Sequence, residues 1–388
     1  MNTEQLNIRH LHALSAVITA GGITAAARVV NLTQPAITQG ISKLERQLGL
    51  RLFERRPGGM EPTEAALILS RRAETALRLI GNHRATAAQI RAFIALARAG
   101  SYAGASVATG LAEASLHRAV SDLSLVMGCK LADRRGRGVT LTPRGVAIAR
   151  NFRLAMNEIH SAMAELAALE GRETGRIAIG AMPLSRARVL PAAITGFNLL
   201  YPQVDILVVE GSHSELVGPL RDGEIDMMIG ALRSGGPDEG LSQQKLFDDH
   251  PVIIARSGHP LADAETIDAE ALAHYPWIMA GSGTPLRKLW EQMFDMPDCP
   301  PPHVPIECGS VMTIRQILLN GNFLTLLSPD QVELELKAGW LTRINAPLPT
   351  GISRSIGVTQ RKGWHPTPMQ SRFLEILGEE SQRMEMPG

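Results

Sequence analysis

Residues 14–66 of this 388-residue chain align on residues 93–145 without a gap, at a constant offset of 79. Thirteen of the 53 aligned pairs are identical: Ala16/Ala95, Ala20/Ala99, Gly21/Gly100, Ala26/Ala105, Leu32/Leu111, Ser42/Ser121, Leu44/Leu123, Gly49/Gly128, Leu52/Leu131, Arg55/Arg134, Arg56/Arg135, Gly59/Gly138 and Thr63/Thr142. Other pairs exchange one apolar side chain for another, as in Leu14/Phe93, Ile37/Leu116 and Ile41/Val120. The shared positions follow helical spacing, so the chain is constrained to build one small core twice. Chance similarity between two Ala-rich helical stretches does not account for matched glycines and paired arginines.

The first copy reads as three helices and a basic hairpin. Leu11, Leu14 and Val17–Ile18 form the stripe of one helix, closed by Gly21–Gly22. Thr24 is placed as the N-cap of a second helix ending at Val30, with Asn31 in the turn that follows. Thr33 caps a third helix, whose Ile37, Ile41, Leu44 and Leu48 face the core. Gln34, Thr38, Gln39 and Ser42 are thereby turned outward. Short polar side chains on the front of an exposed helix suit major-groove readout: Gln pairs with adenine, and Thr meets a thymine methyl or a phosphate. Arg55–Arg56–Pro57–Gly58–Gly59 is a hairpin suited to phosphate or minor-groove contact. Each such Gln or Thr taken alone is ordinary solvated surface; their grouping beside a basic hairpin is what points to DNA.

The stretch GGITAAARVVNLTQPAITQGISKLERQLGLRLFERR, followed by EPTEAA, resembles the DNA-binding signature of the LysR-type transcriptional regulators. The resemblance implies a winged helix-turn-helix with Thr33, Gln34, Pro35, Thr38, Gln39, Lys43, Arg51, Arg55 and Arg56 on DNA. Gln39 and Gly40 depart from the residues usual there, and Pro57–Gly58–Gly59 alters the wing, so base preference does not carry over.

The second copy opens with a capping box, Thr86 to Gln89, but replaces Thr-Gln-Pro by Ala112–Glu113–Ala114. That loses the cap and puts a carboxylate near the path of a phosphate. Its wing, Arg134–Arg135–Gly136–Arg137–Gly138, is more basic than the first. Two readings stand: a degenerate head that grips DNA through Arg118, Arg134, Arg135 and Arg137, or a packing and spacing module.

Beyond it, Phe152, Met156, Ile159, Met163 and Leu166 recur at alternating spacings of four and three on a helix from Pro143 to Leu169. This heptad stripe predicts a pairing seam, and the resemblance implies dimerisation through it; the alternative is a helix packed on its own domain. Strands then alternate with helices from Arg176, predicting a parallel α/β sheet that binds ligand beyond its strand ends. LPAAITGFNLLYPQVDILVVEGSHSELVGPLRDGEIDMMIGALR resembles the effector domain of the same family. Two chain crossings imply two lobes, 175–248 with 346–388 and 249–345. The resemblance places an effector between them against Met182, Leu184, Ser185, Ser212, Ser282 and Thr284. The hydroxyls and free amides at Ser282–Pro285 suit an anion; plain helix capping is the simpler use of the same residues.

Formal charge divides unevenly along the chain: residues 1–84 carry +5, 85–170 carry +4 and 171–388 carry −8. A basic front and acidic rear are consistent with polyanion binding by the front alone. Three cysteines suit a reducing cytoplasm. Cys299 and Cys308 flank His303, but three ligands in a Pro-rich loop are too few for a structural metal, and the spacing is out of register with the family's peroxide-sensing pair; unreactive thiols are the reading adopted. No secretory signal or apolar membrane span is read. No Ser elbow, metal triad or nucleotide loop is found, so an enzyme is not expected. A solute-binding protein would not need the basic repeats, and a DNA-packaging protein would not need a two-lobed sensor.

The expectation is a multi-domain α+α/β chain: two tandem winged helix-turn-helix domains (1–84 and 85–142), a long dimerisation helix (143–170), and a two-lobed α/β periplasmic-binding-protein-like effector domain (171–388). Its expected partners are double-stranded promoter DNA, a small-molecule effector, further copies of itself as homodimer or homotetramer, and RNA polymerase, with no cofactor, metal or membrane.

Overall fold

A computed structural model describes residues 6–56, 59–136, 138–233, 236–264, 267–295, 301–346 and 352–385. They divide into two compact units, Met1–Gly175 and Arg176–Gly388. Cys299 and Arg137 lie outside the described residues, as do Pro57 and Gly58.

The first unit repeats one order of elements. Helices α1 (Ile8–Ala20), α2 (Ile23–Val30) and α3 (Gln34–Leu48) lead into an antiparallel hairpin, β1 (Phe53–Arg56) and β2 (Gly59–Pro62), and then α4 (Glu64–Ile80). The same series follows as α5 (Ala87–Ala99), α6 (Tyr102–Thr109), α7 (Glu113–Met127), β3 (Ala132–Arg135), β4 (Gly138–Leu141) and α8 (Pro143–Leu169). The agreement extends to single hydrogen bonds. Thr63 Oγ1 donates to the Arg51 carbonyl at 2.8 Å, and Thr142 Oγ1 to that of Lys130 at 2.8 Å. Each threonine then caps the helix it begins, accepting from Ala66 N at 3.3 Å and from Gly145 N at 2.9 Å. Gly21 and Gly100 both end a first helix in the left-handed region, at φ 73° and 65°, where a Cβ would be strained.

Three expectations change. The second helix starts at Ile23 rather than after Thr24: the extended Gly22 supplies the cap position with no side-chain hydrogen bond, leaving Thr24 in the first turn. The heptad stripe of α8 is buried inside the single chain. Phe152, Met156, Ile159, Met163 and Leu166 join one core with Leu69, Ala73, Leu77 and Ile80 of α4, and α4 packs along α8. A heptad pattern fixes that a seam exists and says nothing about which helix fills it. At this seam Arg72, only 4% exposed, donates to Glu158 Oε2 at 2.9 Å and to Glu165, itself 5% exposed, with Arg71 reaching Glu165 at 3.1 Å. Burial works against the Arg72 charge, but hydrogen bonds and attraction from Glu158 and Glu165 outweigh it and raise its pKa.

The second unit has two lobes. The first contains β5 (Gly175–Ala181), α9 (Val189–Leu200), β6 (Val204–Glu210), α10 (His213–Asp222), β7 (Met227–Ala231) and β8 (Leu241–Asp249). The second contains β9 (Val252–Arg256), α11 (Ala269–Ala273), β10 (Trp277–Met279), α12 (Pro285–Met293), β11 (Ile306–Glu307), α13 (Val311–Leu319), β12 (Leu324–Leu327), α14 (Glu333–Lys337) and β13 (Leu341–Arg343). The chain returns as β14 (Arg354–Arg361) and α15 (Pro368–Glu385). The sheets run β6-β5-β7-β14-β8 and β11-β10-β12-β9-β13. Both are mixed, against the parallel sheet that the alternation predicts. The returning β14 lies antiparallel to β7 and β8, and β9 antiparallel to β12 and β13, because each lobe is entered and left by a strand rather than a crossover helix. Separate cores fill the lobes, around Phe197, Phe373 and Ile229 in one and Trp277, Trp290 and Leu326 in the other.

Candidate functional site

The front of α3 is built by its cap. Thr33, in extended conformation, accepts from Ala36 N at 3.4 Å, and Pro35 sits in the first turn where no amide is needed. Asn31, left-handed at φ 51°, makes the tight turn from α2. Ile37, Ile41, Leu44 and Leu48 are buried, so Gln34, Thr38, Gln39, Ser42 and Lys43 are exposed on the opposite side. Gln34, Pro35, Thr38 and Gln39 line an open hollow shared with Ile23 and Thr24 of α2. Thr38 Oγ1 donates to the Gln34 carbonyl at 3.0 Å, which engages its proton and leaves the methyl for apolar contact. Gly40 is buried because His10 of α1 fills the space: a Cβ there would stand 3.1 Å from His10 Cδ2. Burial, then the nearby Lys43, lower the His10 pKa.

The wing is less uniformly cationic than its sequence suggests. Arg51 and Arg55 are exposed, and Arg55 makes no ion pair among the described residues. Arg56 is held by Glu61 at 3.0 Å and Glu54 at 3.5 Å, so it meets DNA only by leaving them.

In the second copy Ala112 stands at the cap of α7 with no side-chain bond to a free amide, and Glu113 occupies the first turn. Arg118 is exposed at the position equivalent to Gln39, and Arg134 and Arg135 are exposed on β3. Lys130, equivalent to Arg51, is paired with Asp133 at 2.5 Å.

In the second unit, three of the residues assigned to the effector are not on an open wall. Met182, Leu184 and Ser185 are buried at the end of β5, with Ser185 Oγ donating to the Met182 carbonyl at 2.9 Å. Met182 packs so closely on Gly230 that a Cβ there would lie 2.5 Å from its own. Ser212 is exposed but committed to a capping box, donating to Glu215 Oε2 at 2.7 Å through both its hydroxyl and its amide. Thr284 caps α12, accepting from Arg287 N at 3.3 Å, and Ser282 is exposed in the turn before it.

The sequence places ligand beyond the strand ends, in loops that include Gly211–His213 and Ala231–Arg233, but it does not single out the residues there that link the lobes. Arg233, just past β7, donates to the Gly283 carbonyl at 3.0 Å and so reaches the turn before α12. His213, at the start of α10, lies near it; its pKa is lowered by burial first and by the Arg233 charge second. On another edge Arg188 faces Asp330 at 3.7 Å. A basic residue directly after a strand end was the available signal for Arg233.

A capped polar helix beside a basic wing, in a chain that also carries a two-lobed α/β unit, defines a DNA-binding protein with a small-molecule sensor. The model of the bacterial regulatory helix-turn-helix protein, lysR family, matches residues 8–67 and again 87–146, and that of the LysR substrate binding domain matches residues 170–382. The chain belongs to the LysR family: it is a DNA-binding transcriptional regulator with an effector-binding domain, not an enzyme. It is 28% identical to the HTH-type transcriptional regulator GalR of Pseudomonas putida, over 97% of this chain and 98% of that one. It is 30% identical to CfxR of Cupriavidus necator, over 76% of this chain and 89% of that relative. In fold it is similar to a full-length OxyR variant of Pseudomonas aeruginosa, with a TM-score of 0.57 at 20% identity over 76% of this chain and 93% of that one. It is also similar to LysG of Corynebacterium glutamicum with bound effector Arg, at 0.54 and 18% over 76% and 98%. No helix among the described residues is long and apolar enough to cross a membrane.

Proposed function

We propose that the first copy reads promoter sequence through α3 while the second is a degenerate winged helix-turn-helix that adds affinity through the backbone. The observation that carries this is the exposed front Gln34–Thr38–Gln39 on a helix fixed by its Thr33 cap. For the second copy, exposed Arg118, Arg134 and Arg135 favour phosphate contact, while uncapped Ala112 and exposed Glu113 disfavour base readout. A small anion between the lobes is the effector. Arg233 and the amides at the start of α12 supply the positive potential it needs, and Ser282 supplies an exposed hydroxyl. By favouring one lobe arrangement, the effector shifts how the heads are presented. The chain acts inside the cell, as a dimer or tetramer, and passes its signal to RNA polymerase.

The test is recovery and sequencing of sheared genomic DNA bound by the purified full chain at about physiological salt. Enrichment of a few sites, with preference relaxed at one base pair of them in Gln34→Ala, supports the reading. Uniform recovery of all sequences by a folded protein overturns it. Genes beside the enriched sites supply the anions to try as effectors, with Arg233→Ala expected to weaken their binding.

A further inference from the structure

The seam between α4 and α8 is made by equivalent positions of the two copies. Ala73/Phe152, Ala76/Ala155, Leu77/Met156 and Ile80/Ile159 differ by the repeat offset of 79, and all eight side chains lie in the shared core. The helices run antiparallel. Arg72 meets Glu158 and Glu165 in the second half of α8. Ten residues further on, Asn82 Nδ2 donates to the Val126 carbonyl at 2.7 Å, beside the end of α7 that leads into the hairpin preceding α8. Antiparallel pairing of equivalent helices through equivalent residues is what a two-fold interface requires. Here both halves belong to one chain.

One feature of the seam is not duplicated. The counterparts of Arg72, Glu158 and Glu165 in the other copy are Asn151, Leu79 and Thr86. Two α8 helices from separate chains would therefore set Asn151 where Arg72 stands, leaving only Arg150, the counterpart of Arg71, to meet Glu165, and two α4 helices would set Leu79 and Thr86 where Glu158 and Glu165 stand. Only α4 against α8 sets a buried guanidinium against both carboxylates. The short connection from Ile80 to Ala87 keeps the correct partner at high local concentration.

We propose that the first unit is a single-chain pseudo-dimer, in which α4 and α8 pair in cis and hold two unequal heads to DNA. In it α3 reads one half-site and the second wing grips the phosphates of an adjoining segment whose sequence is free. The proposal rests on the reading of α3 as the DNA-reading helix. One chain then carries what a two-headed reader otherwise assembles from two, and its site is intrinsically asymmetric.

The experiment uses full-length chains and a genomic site recovered as above. Arg72→Glu is made in one chain and Glu158→Arg with Glu165→Arg in another. Each alone is expected to lose site binding at least tenfold, and co-expression of the two is expected not to restore it. All three changes in one chain are expected to restore it, because the charges again match in cis. Rescue by co-expression, or undiminished binding by either chain alone, overturns the cis pairing. Hydroxyl-radical footprints of the wild-type chain provide an arm independent of folding. Protection on one side of the α3 half-site is expected to vanish in Arg134→Ala/Arg135→Ala. Base changes in that flank should alter affinity less than about threefold, against roughly tenfold in the α3 half-site. Equal sequence dependence on both sides overturns the unequal heads. Loss of all sequence preference in the wild type would instead defeat the reading of α3 and leave the mixing result standing.

Discussion

At the residue scale, the proposed reading of α3 gives Gln34 and Lys43 two different kinds of DNA contact. Both are exposed on α3, but Gln34 sits at its front and Lys43 more than two turns further along. Gln34→Ala is expected to cost about 1–3 kcal/mol at one base pair and to relax preference there, whereas Lys43→Ala should weaken all sequences alike. Competition binding against single-base variants of a recovered site distinguishes them. The histidines give a second prediction. His12 stacks on His83 with ring centroids 3.9 Å apart, and burial first, then the His83 charge, lower the His12 pKa. His10 is lowered by burial as well, with its Nδ1 buried and unpartnered. Because both folded-state values lie below the unfolded one, the stability from the neutral rings is complete above the ordinary histidine range. It is lost as pH falls through about 6.5 towards the depressed values. Thermal melts at pH 7.5 and 5.5 should therefore show the first unit losing stability on acidification, and His12→Gln should reduce that loss. A pH-independent melting temperature would refute it.

At the element scale, the stability of the first unit depends on the α4–α8 seam. Arg72 is buried between two carboxylates, so Arg72→Ala removes the buried cation that Glu158 and Glu165 share and leaves Glu165 only its contact with exposed Arg71. A cost of about 3–5 kcal/mol is expected, equivalent to a fall on the order of 10 °C in the melting temperature of that unit. Arg71, with a side chain 69% exposed, contacts the same Glu165 from solvent, and its removal should cost less than about 1 kcal/mol. Calorimetry on both variants tests the contrast, and equal losses would mean that burial does not set the cost. The repeat was legible in the sequence down to the glycines that end the first helices and the threonines that cap α4 and α8. What pairs with α8 was not. Apolar residues spaced four and three apart are demanded equally by a partner chain and by a second helix of the same chain. Similarly, Met182 and Leu184 at a strand end read as cleft or as core until the neighbouring side chains are placed, and here they belong to the core.

At the scale of the whole molecule, charge is divided by task. The first 170 residues hold the excess of Lys and Arg, and the remainder is acidic, which leaves DNA one half of the chain to contact. Pairing by Glu54, Glu61 and Asp133 reduces the number of cations available without rearrangement, since Arg56 and Lys130 are occupied. Those that remain are spread over both copies, and this makes the second copy's role measurable without a structure of the complex. Each phosphate neutralised contributes about 0.9 to the slope of log affinity against log salt on duplex DNA. If Arg134 and Arg135 both meet phosphates, Arg134→Ala/Arg135→Ala should lower the magnitude of that slope by about 1.8, with base preference at the α3 half-site unchanged. An unchanged slope would make the second copy a packing module, with its wing turned to solvent and the seam as its remaining function. The titration should span roughly 50–200 mM salt, where the electrostatic term changes affinity by orders of magnitude and a difference of this size is resolved.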